Sequence, residues 1–401
     1  MATALLLSMS SFAQQALFDN VPVVSPELNA NHTVTFRLKA PNAQKVQITG
    51  DFLPTKQIDT PVGKYDAPGV ADLVKDDKGV WSFTSTNLSP ELYSYNLLLD
   101  GVKIVDPGSV YITRDITSVT NIFILSDKKG DCGDLYTVNE VPHGNVQKVW
   151  YDSPTLKMQR RMTVYTPAGY DKGKDYPVLY LLHGAGGDED AWTTLGRASQ
   201  ILDNLIATGK AKPMVVVMTN GNPNCQAAPG EWSAGMYVPS FYGYQGAKAV
   251  ATMDESFPDV MNYVESHYKV GKDKAHRAIC GLSMGGGHSF DISRRFPNKF
   301  DYVGLFSAGL HVGKTGDFRT DFYKMLQEDE EAKQQLATLF KYKPKLYWIG
   351  MGKTDFLYKS TAGLRRYFDE KGYKYTYMET EGGHIWRNWR VYLTEFAQKI
   401  F

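Results

Sequence analysis

The sequence predicts two architectures in one chain: an all-β sandwich, then a doubly wound, mostly parallel α/β sheet. Three observations carry this. Residues 18–125 alternate apolar and polar side chains with a period of two. After about residue 143, unbroken apolar runs alternate with helical patterns. A polar stretch, SDKKGDCGD at 126–134, separates the two regimes. At 401 residues the chain is long for one ordinary domain, which agrees with two.

The chain opens MATALLLSMSSFAQQ. A short apolar run followed by Ser11-Phe12-Ala13 reads as the end of a secretory signal peptide cleaved after Ala13, although a basic leading segment is missing. Residues 1–17 are therefore assigned to a signal remnant, and export to the periplasm or medium is expected. Nothing later approaches the roughly 20 apolar residues of a membrane span. In TVTFRLKAP (33–41), Val34, Phe36 and Leu38 alternate with Thr33, Thr35 and Arg37. KVQITGDF, GVWSFTSTNL and LYSYNLLLDG follow, the last ending in Asp100-Gly101, a hairpin-turn dipeptide. Short strands with turn signals and no helical period make 18–125 a sandwich. Residues 126–142 read as a linker.

From 143 to 401 the strand candidates are PVLYLLHG (177–184), PMVVVMTNG (213–221), RAICGLS (277–283), YVGLFSAG (302–309), KLYWIGMG (345–352) and KYTYMETEGG (374–383). Continuous apolar runs suit a sheet covered on both faces. Between them, Phe257, Val260, Met261, Val264 and Tyr268 fall on one helical face. QEDEEAKQQLATLF (327–340) carries charges that read as a solvated helix face. Alternating strands and helices predict the parallel sheet.

Composition narrows the function. Hydrophobic residues make up 43% and charged residues 22%, as in a globular protein. The net charge of +1 implies no basic surface for nucleic acid. Three cysteines cannot form a fully paired framework; Cys132 and Cys225 are the pair that could join in an oxidising compartment. No Cys/His spacing suggests a metal site.

The segment GLSMGGGH (281–288) supplies the chemistry. Gly-x-Ser-x-Gly recurs by chance, so its context decides. Ser283 follows the apolar run of a strand and precedes a helical pattern, the setting of a nucleophile elbow. Such a turn needs small flanking residues, here Gly281 and Gly285. A serine needs a base. His384, in EGGHIW, follows the last strand. Asp355, in GMGKTDF, follows the strand before it. The order Ser283, Asp355, His384 is that of an α/β-hydrolase triad, each residue at a strand's carboxyl end. The other histidines, His183 and His288 among them, read as structural or surface residues. Oxyanion donors are expected from the N–H of Met284 and from the LLHGAGG loop, through Gly184 or Ala185.

LLHGAGG, GLSMGGGHSF, FSAG, GKTDF and GGHIWRNWR make residues 143–401 resemble carbohydrate esterase family 1, its feruloyl and acetyl-xylan esterases above all. Esterase D, enterochelin esterase and the mycolyltransferases are its wider relatives. VTFRLKAPNAQKVQITGDF and GVWSFTSTNLSPELYSYNLLLDG resemble, more weakly, the Ig-like module of carbohydrate-binding module family 48. The resemblance implies a serine esterase, without cofactor, acting on feruloylated or acetylated xylan oligosaccharides. Residues 222–250 form a long polar-aromatic segment, and such segments are commonly lids or binding loops. Trp232, Tyr237, Phe241, Tyr242 and Tyr244 are candidates to flank a phenolic ring or sugar, and Trp386 to wall the pocket. The rival readings are an acetyl-xylan esterase, an acyltransferase or siderophore esterase of the same fold, and a glycan-binding protein without catalysis.

Overall fold

The structure is a computed structural model, and it describes residues 23–60, 63–237, 249–312 and 321–401. The signal segment 1–17 and Phe241, Tyr242 and Tyr244 lie outside the described residues.

The first region is an antiparallel β-sandwich. One sheet orders Glu27–Leu28, Val34–Lys39, Val80–Thr84 and Val74–Lys75. The facing sheet orders Ile112–Asp115, Ser118–Leu125, Glu91–Leu99, Val46–Gly50 and Gly69–Asp72. Alternation explains the packing. Val34, Phe36 and Leu38 are buried, while Arg37 between them pairs with Glu27 at the surface. Phe36 is the hub, with Tyr95 and Phe123 rings at 4.7 and 5.6 Å. Asp100 and Gly101 both take positive φ (48° and 87°), the backbone a tight hairpin demands.

The second region is an eight-stranded sheet. Its strands are β1 (Asn145–Ser153), β2 (Met158–Thr166), β3 (Val178–Leu182), β4 (Val215–Thr219), β5 (Arg277–Leu282), β6 (Tyr302–Phe306), β7 (Leu346–Gly352) and β8 (Thr376–Thr380). They lie in the order β1-β2-β4-β3-β5-β6-β7-β8. β1 and β2 are antiparallel, and the six from β4 to β8 run parallel. The antiparallel pair β1–β2 was not among the sequence candidates; β1 is largely exposed and carries little apolar signal.

Helices cover both faces. They are α1 (Ala191–Thr194), α2 (Ala198–Ala207), α3 (Met253–His267), α4 (Met284–Arg295), α5 (Phe322–Glu328), α6 (Glu330–Lys341), α7 (Tyr358–Lys371) and α8 (Trp386–Ala397). Within β3 the side chains split by parity. Tyr180 and Leu182 join Phe257 of α3 and Phe290 of α4 on one face; Leu179 and Leu181 join Leu202 of α2 and Phe396 of α8 on the other. The helix face expected over 327–340 is chiefly α6, with α5 just before it. Asp329 separates them, because its carboxylate accepts the N–H of Ala332 and caps α6.

The linker region is folded rather than loose. Cys132–Tyr136 is a short helix capped by Asp131. Arg197 and Asn204 of the second region donate to the carbonyls of Tyr136 and Leu135 (2.9 and 3.0 Å). Leu92 and Ile122 of the sandwich join one core with Tyr136, Trp192 and Trp389. The two regions therefore share buried apolar surface. All three cysteines are free.

Candidate active site

Backbone geometry defines the position of Ser283. It ends β5 at φ 53° and ψ −116°, a conformation that a non-glycine residue holds only when its surroundings enforce it. They do so through three backbone hydrogen bonds. Its N–H donates to Phe306 (2.8 Å), and its carbonyl accepts from Gly287 (3.0 Å) and Gly309 (2.8 Å). Two neighbours must be glycine for steric reasons. A Cβ at position 281 would lie 2.5 Å from the Gly285 carbonyl oxygen, and one at 285 would lie 2.5 Å from the Leu182 and His183 oxygens. α4 begins at Met284, so its first N–H groups, which lack intrahelical acceptors, lie beside the serine.

Asp355 and His384 meet as the sequence places them. The Nδ1 of His384 lies 2.9 Å from Oδ2 and 3.1 Å from Oδ1 of Asp355. A carboxylate only accepts, so Nδ1 is the donor. Asp355 is buried and also accepts the Leu357 N–H at 2.9 Å. The two loops are tied directly, Thr354 N–H donating to the Gly382 carbonyl at 3.0 Å. Phe356 and Trp389 rings flank the imidazole at 4.5 and 4.9 Å. No hydrogen bond joins Ser283 to His384 among the described residues.

A cavity of about 250 Å³ adjoins the elbow. His183, Ala185, Gly187, Gly221, Pro223 and Met284 contribute to its walls, and His288, one helical turn beyond Met284, completes them. His183 is structural, as the sequence reading has it. Its Nδ1–H donates to the Gly184 carbonyl and its Nε2 accepts the Gly221 N–H, both at 2.7 Å. Burial lowers its pKa and keeps it neutral. His183 and His288 both line the cavity; in His288, burial and then the neighbouring His183 push the pKa down to about 4.

Of the candidate oxyanion residues, Met284 and Ala185 line the cavity, whereas Gly184 is buried and packs on Leu282. Trp232, Tyr237 and Trp386 do not line it. Trp232 is half-buried, Tyr237 is exposed, and Trp386 packs edge-on against Trp192 and Trp389 at 5.3 and 5.2 Å.

The start of the 222–250 segment is anchored, not structureless. Buried Arg160 on β2 donates to the carbonyls of Asn220, Asn222 and Cys225 (2.6, 2.8 and 3.2 Å). Its neighbour Arg161 bonds Glu189 and Glu231, each at 2.7 Å. Glu189, whose carboxyl burial raises in pKa, also accepts from Ala228 N–H and Asn220 Nδ2. Sequence reasoning missed these residues. The one available signal was an Arg-Arg pair directly before the strand-like MTVYT, where a buried charge persists only if satisfied.

A strained serine elbow and an Asp–His pair on the carboxyl edge of this sheet define the class: esterases of the α/β-hydrolase fold. The "Esterase" family model matches residues 153–400, and the chain belongs to that family. It is 30% identical over 387 residues to an endo-1,4-beta-xylanase/feruloyl esterase of Xylanibacter ruminicola, an alignment covering 94% of this chain and 46% of the relative. The chain thus spans less than half the length of that relative. A solved CE1 ferulic acid esterase from Anaeromyces mucronatus superposes with a TM-score of 0.51 at 25% identity, over 67% of this chain and 96% of the other. The enterobactin esterase of Shigella flexneri, at 14% identity, superposes with a TM-score of 0.59 over 97% of this chain and 98% of the other, and so shares the two-region fold.

Proposed function

We propose that the protein is a carboxylic ester hydrolase that cleaves hydroxycinnamoyl esters from arabinoxylan oligosaccharides, with Ser283 as nucleophile, His384 as base and Asp355 as its orienting acid. The observation that carries this reading is the pairing of a proton-bearing His384 Nδ1 with Asp355, beside a serine strained onto the same sheet edge. Catalytic Ser–His hydrogen bonds are often long without substrate and tighten as it binds, which fits the absence of that bond here.

Each step balances. Nε2 of His384 takes the Ser283 proton as Oγ attacks the ester carbonyl carbon. The tetrahedral oxyanion accepts hydrogen bonds from the Met284 and Ala185 N–H groups. Collapse breaks the bond to the sugar oxygen, which leaves with the proton from His384. Water, deprotonated by the same nitrogen, then attacks the acyl-serine. The acid departs and Ser283 regains its proton.

Two lines support the acyl group. The cavity next to Met284 has about 250 Å³, with Pro223, Met284 and the neutral His288 as walls suited to a flat phenolic ring. The Xylanibacter relative carries both xylanase and feruloyl esterase in its name. Initial rates on methyl ferulate and acetylated xylan, with Ser283→Ala as blank, test this reading. Ser283-dependent ferulate release is expected. Acetate release alone would make the protein an acetyl-xylan esterase instead.

A further inference from the structure

The segment that presents His384 is held from the sandwich. α8 begins two residues after His384, and its first turns carry Trp386, Arg387, Trp389 and Arg390. Arg390 is almost fully buried. It donates to the Leu195 carbonyl (3.0 Å) within its own region, and to Glu91 Oε1 and the Leu92 carbonyl (both 3.2 Å) across the junction. Arg387 places Nε 3.7 Å from Glu91 Oε2 and its guanidinium over the Tyr93 ring. Both oxygens of one buried sandwich carboxylate thus face the two arginines nearest His384. Between those arginines lies Trp389, whose ring abuts the imidazole. The sandwich also reaches the opposite side of the site. Arg114 bonds buried Asp188 in the loop that follows Ala185, and Asp115 lies beside the Trp386 side chain.

We propose that Glu91 is a positioning residue for His384, acting through Arg387 and Arg390, so that the sandwich is a working part of the esterase rather than an appended module. The proposal rests on the reading of His384 as the base. A ring displaced by a fraction of an ångström loses its line to the serine oxygen, and turnover is steeply sensitive to such errors, whereas substrate affinity is set elsewhere, in the cavity.

The experiment uses the full chain and p-nitrophenyl acetate, a substrate that does not depend on the ferulate assignment. Glu91→Gln keeps the size and one acceptor oxygen but loses the charge. It is expected to lower kcat by about tenfold or more with KM within about twofold, and Glu91→Asp to recover part of the loss. Val46→Ala, in the sandwich core opposite Leu99 at the far end of the strand that begins with Glu91, controls for general stability. At a matched loss of Tm it is expected to keep the wild-type kcat. Where Glu91→Gln fails to fold, the partly exposed Arg387→Gln carries the same readout with a fall of about threefold. Unchanged kcat in the folded variant, or an equal fall in Val46→Ala, overturns the proposal. If Ser283→Ala hydrolyses as fast as wild type, the triad reading fails and takes this proposal with it. If Ser283→Ala is inactive but Glu91→Gln is fully active, only the positioning role fails.

Discussion

Ser283 and His384 are held in opposite ways. Backbone holds the serine: three main-chain hydrogen bonds and two glycines whose Cβ positions are already occupied. Side chains hold the histidine: the Asp355 carboxylate and the Phe356 and Trp389 rings, on a segment whose next helix bonds Glu91, some three hundred residues earlier in the chain. The elbow is set by main chain from neighbouring strand ends, Phe306, Gly309 and Leu182 among them. His384 is set by side chains of its own region, and the helix that follows it is bonded to the sandwich through Arg390 and Glu91. A serine held by backbone tolerates little change of residue type nearby, whereas a histidine held by side chains is sensitive to substitution of the groups packed on it.

That contrast can be broken most directly at the reacting groups. Ser283→Ala and His384→Ala are each expected to lower kcat by on the order of 10⁴-fold or more while leaving the fold intact, measured as initial rates and circular dichroism. Similar residual rates in the two variants would show that the backbone-held and the side-chain-held residue act as one unit. Asp355→Asn comes next. It removes the acceptor that selects the Nδ1–H tautomer, so kcat should fall by roughly 10²- to 10⁴-fold with KM nearly unchanged. Near-normal turnover would exclude Asp355 as the orienting acid.

Gly285→Ala sharpens the other side. Its Cβ would meet two carbonyl oxygens of the β3 edge at 2.5 Å, and backbone cannot yield cheaply. A stability loss of about 1–3 kcal/mol is expected by chemical denaturation, with a fall in kcat from the displaced elbow. Wild-type stability in this variant would show the elbow to be softer than its packing implies.

The smallest effect concerns acid. The folded pKa of His288, about 4, lies below the unfolded value of about 6.5. Between these values the unfolded chain binds a proton that the folded chain does not. This contribution to stability is therefore lost as pH falls from about 6.5 toward 4. His183, lowered in the same direction, adds to it. His288→Gln should flatten the decline of Tm across that window, and parallel curves for the two proteins would argue against the buried neutral state.

The chain's grammar was readable where the physics is local. Alternating Val34, Phe36 and Leu38 are buried in a half-solvated sandwich strand, and the apolar runs form strands covered on both faces. The helix face expected over 327–340 is α6, and Asp329 caps its start, a boundary that periodicity alone does not fix. The pocket was harder to read. Trp232 and Tyr237 drew attention as aromatics in a long segment, yet the cavity beside Ser283 is walled by Met284, His288 and Pro223. Aromatic content in a segment does not say where its backbone will be tied, and here Arg160, Arg161 and Glu189 decide that.

By itself the sequence determined the two fold classes, the elbow and the order of Ser283, Asp355 and His384, because each follows from periodicity, glycine sterics or position at a strand end. Tertiary structure alone decided which residues pin the loops, that His183 and His288 line the cavity, and that Glu91 of the sandwich bonds the helix behind His384. Those are contacts between side chains far apart in the chain. Buried charges such as Glu91, Arg390, Arg160 and Glu189 are tolerable only because folding brings their partners to them, and no local pattern encodes a partner's address.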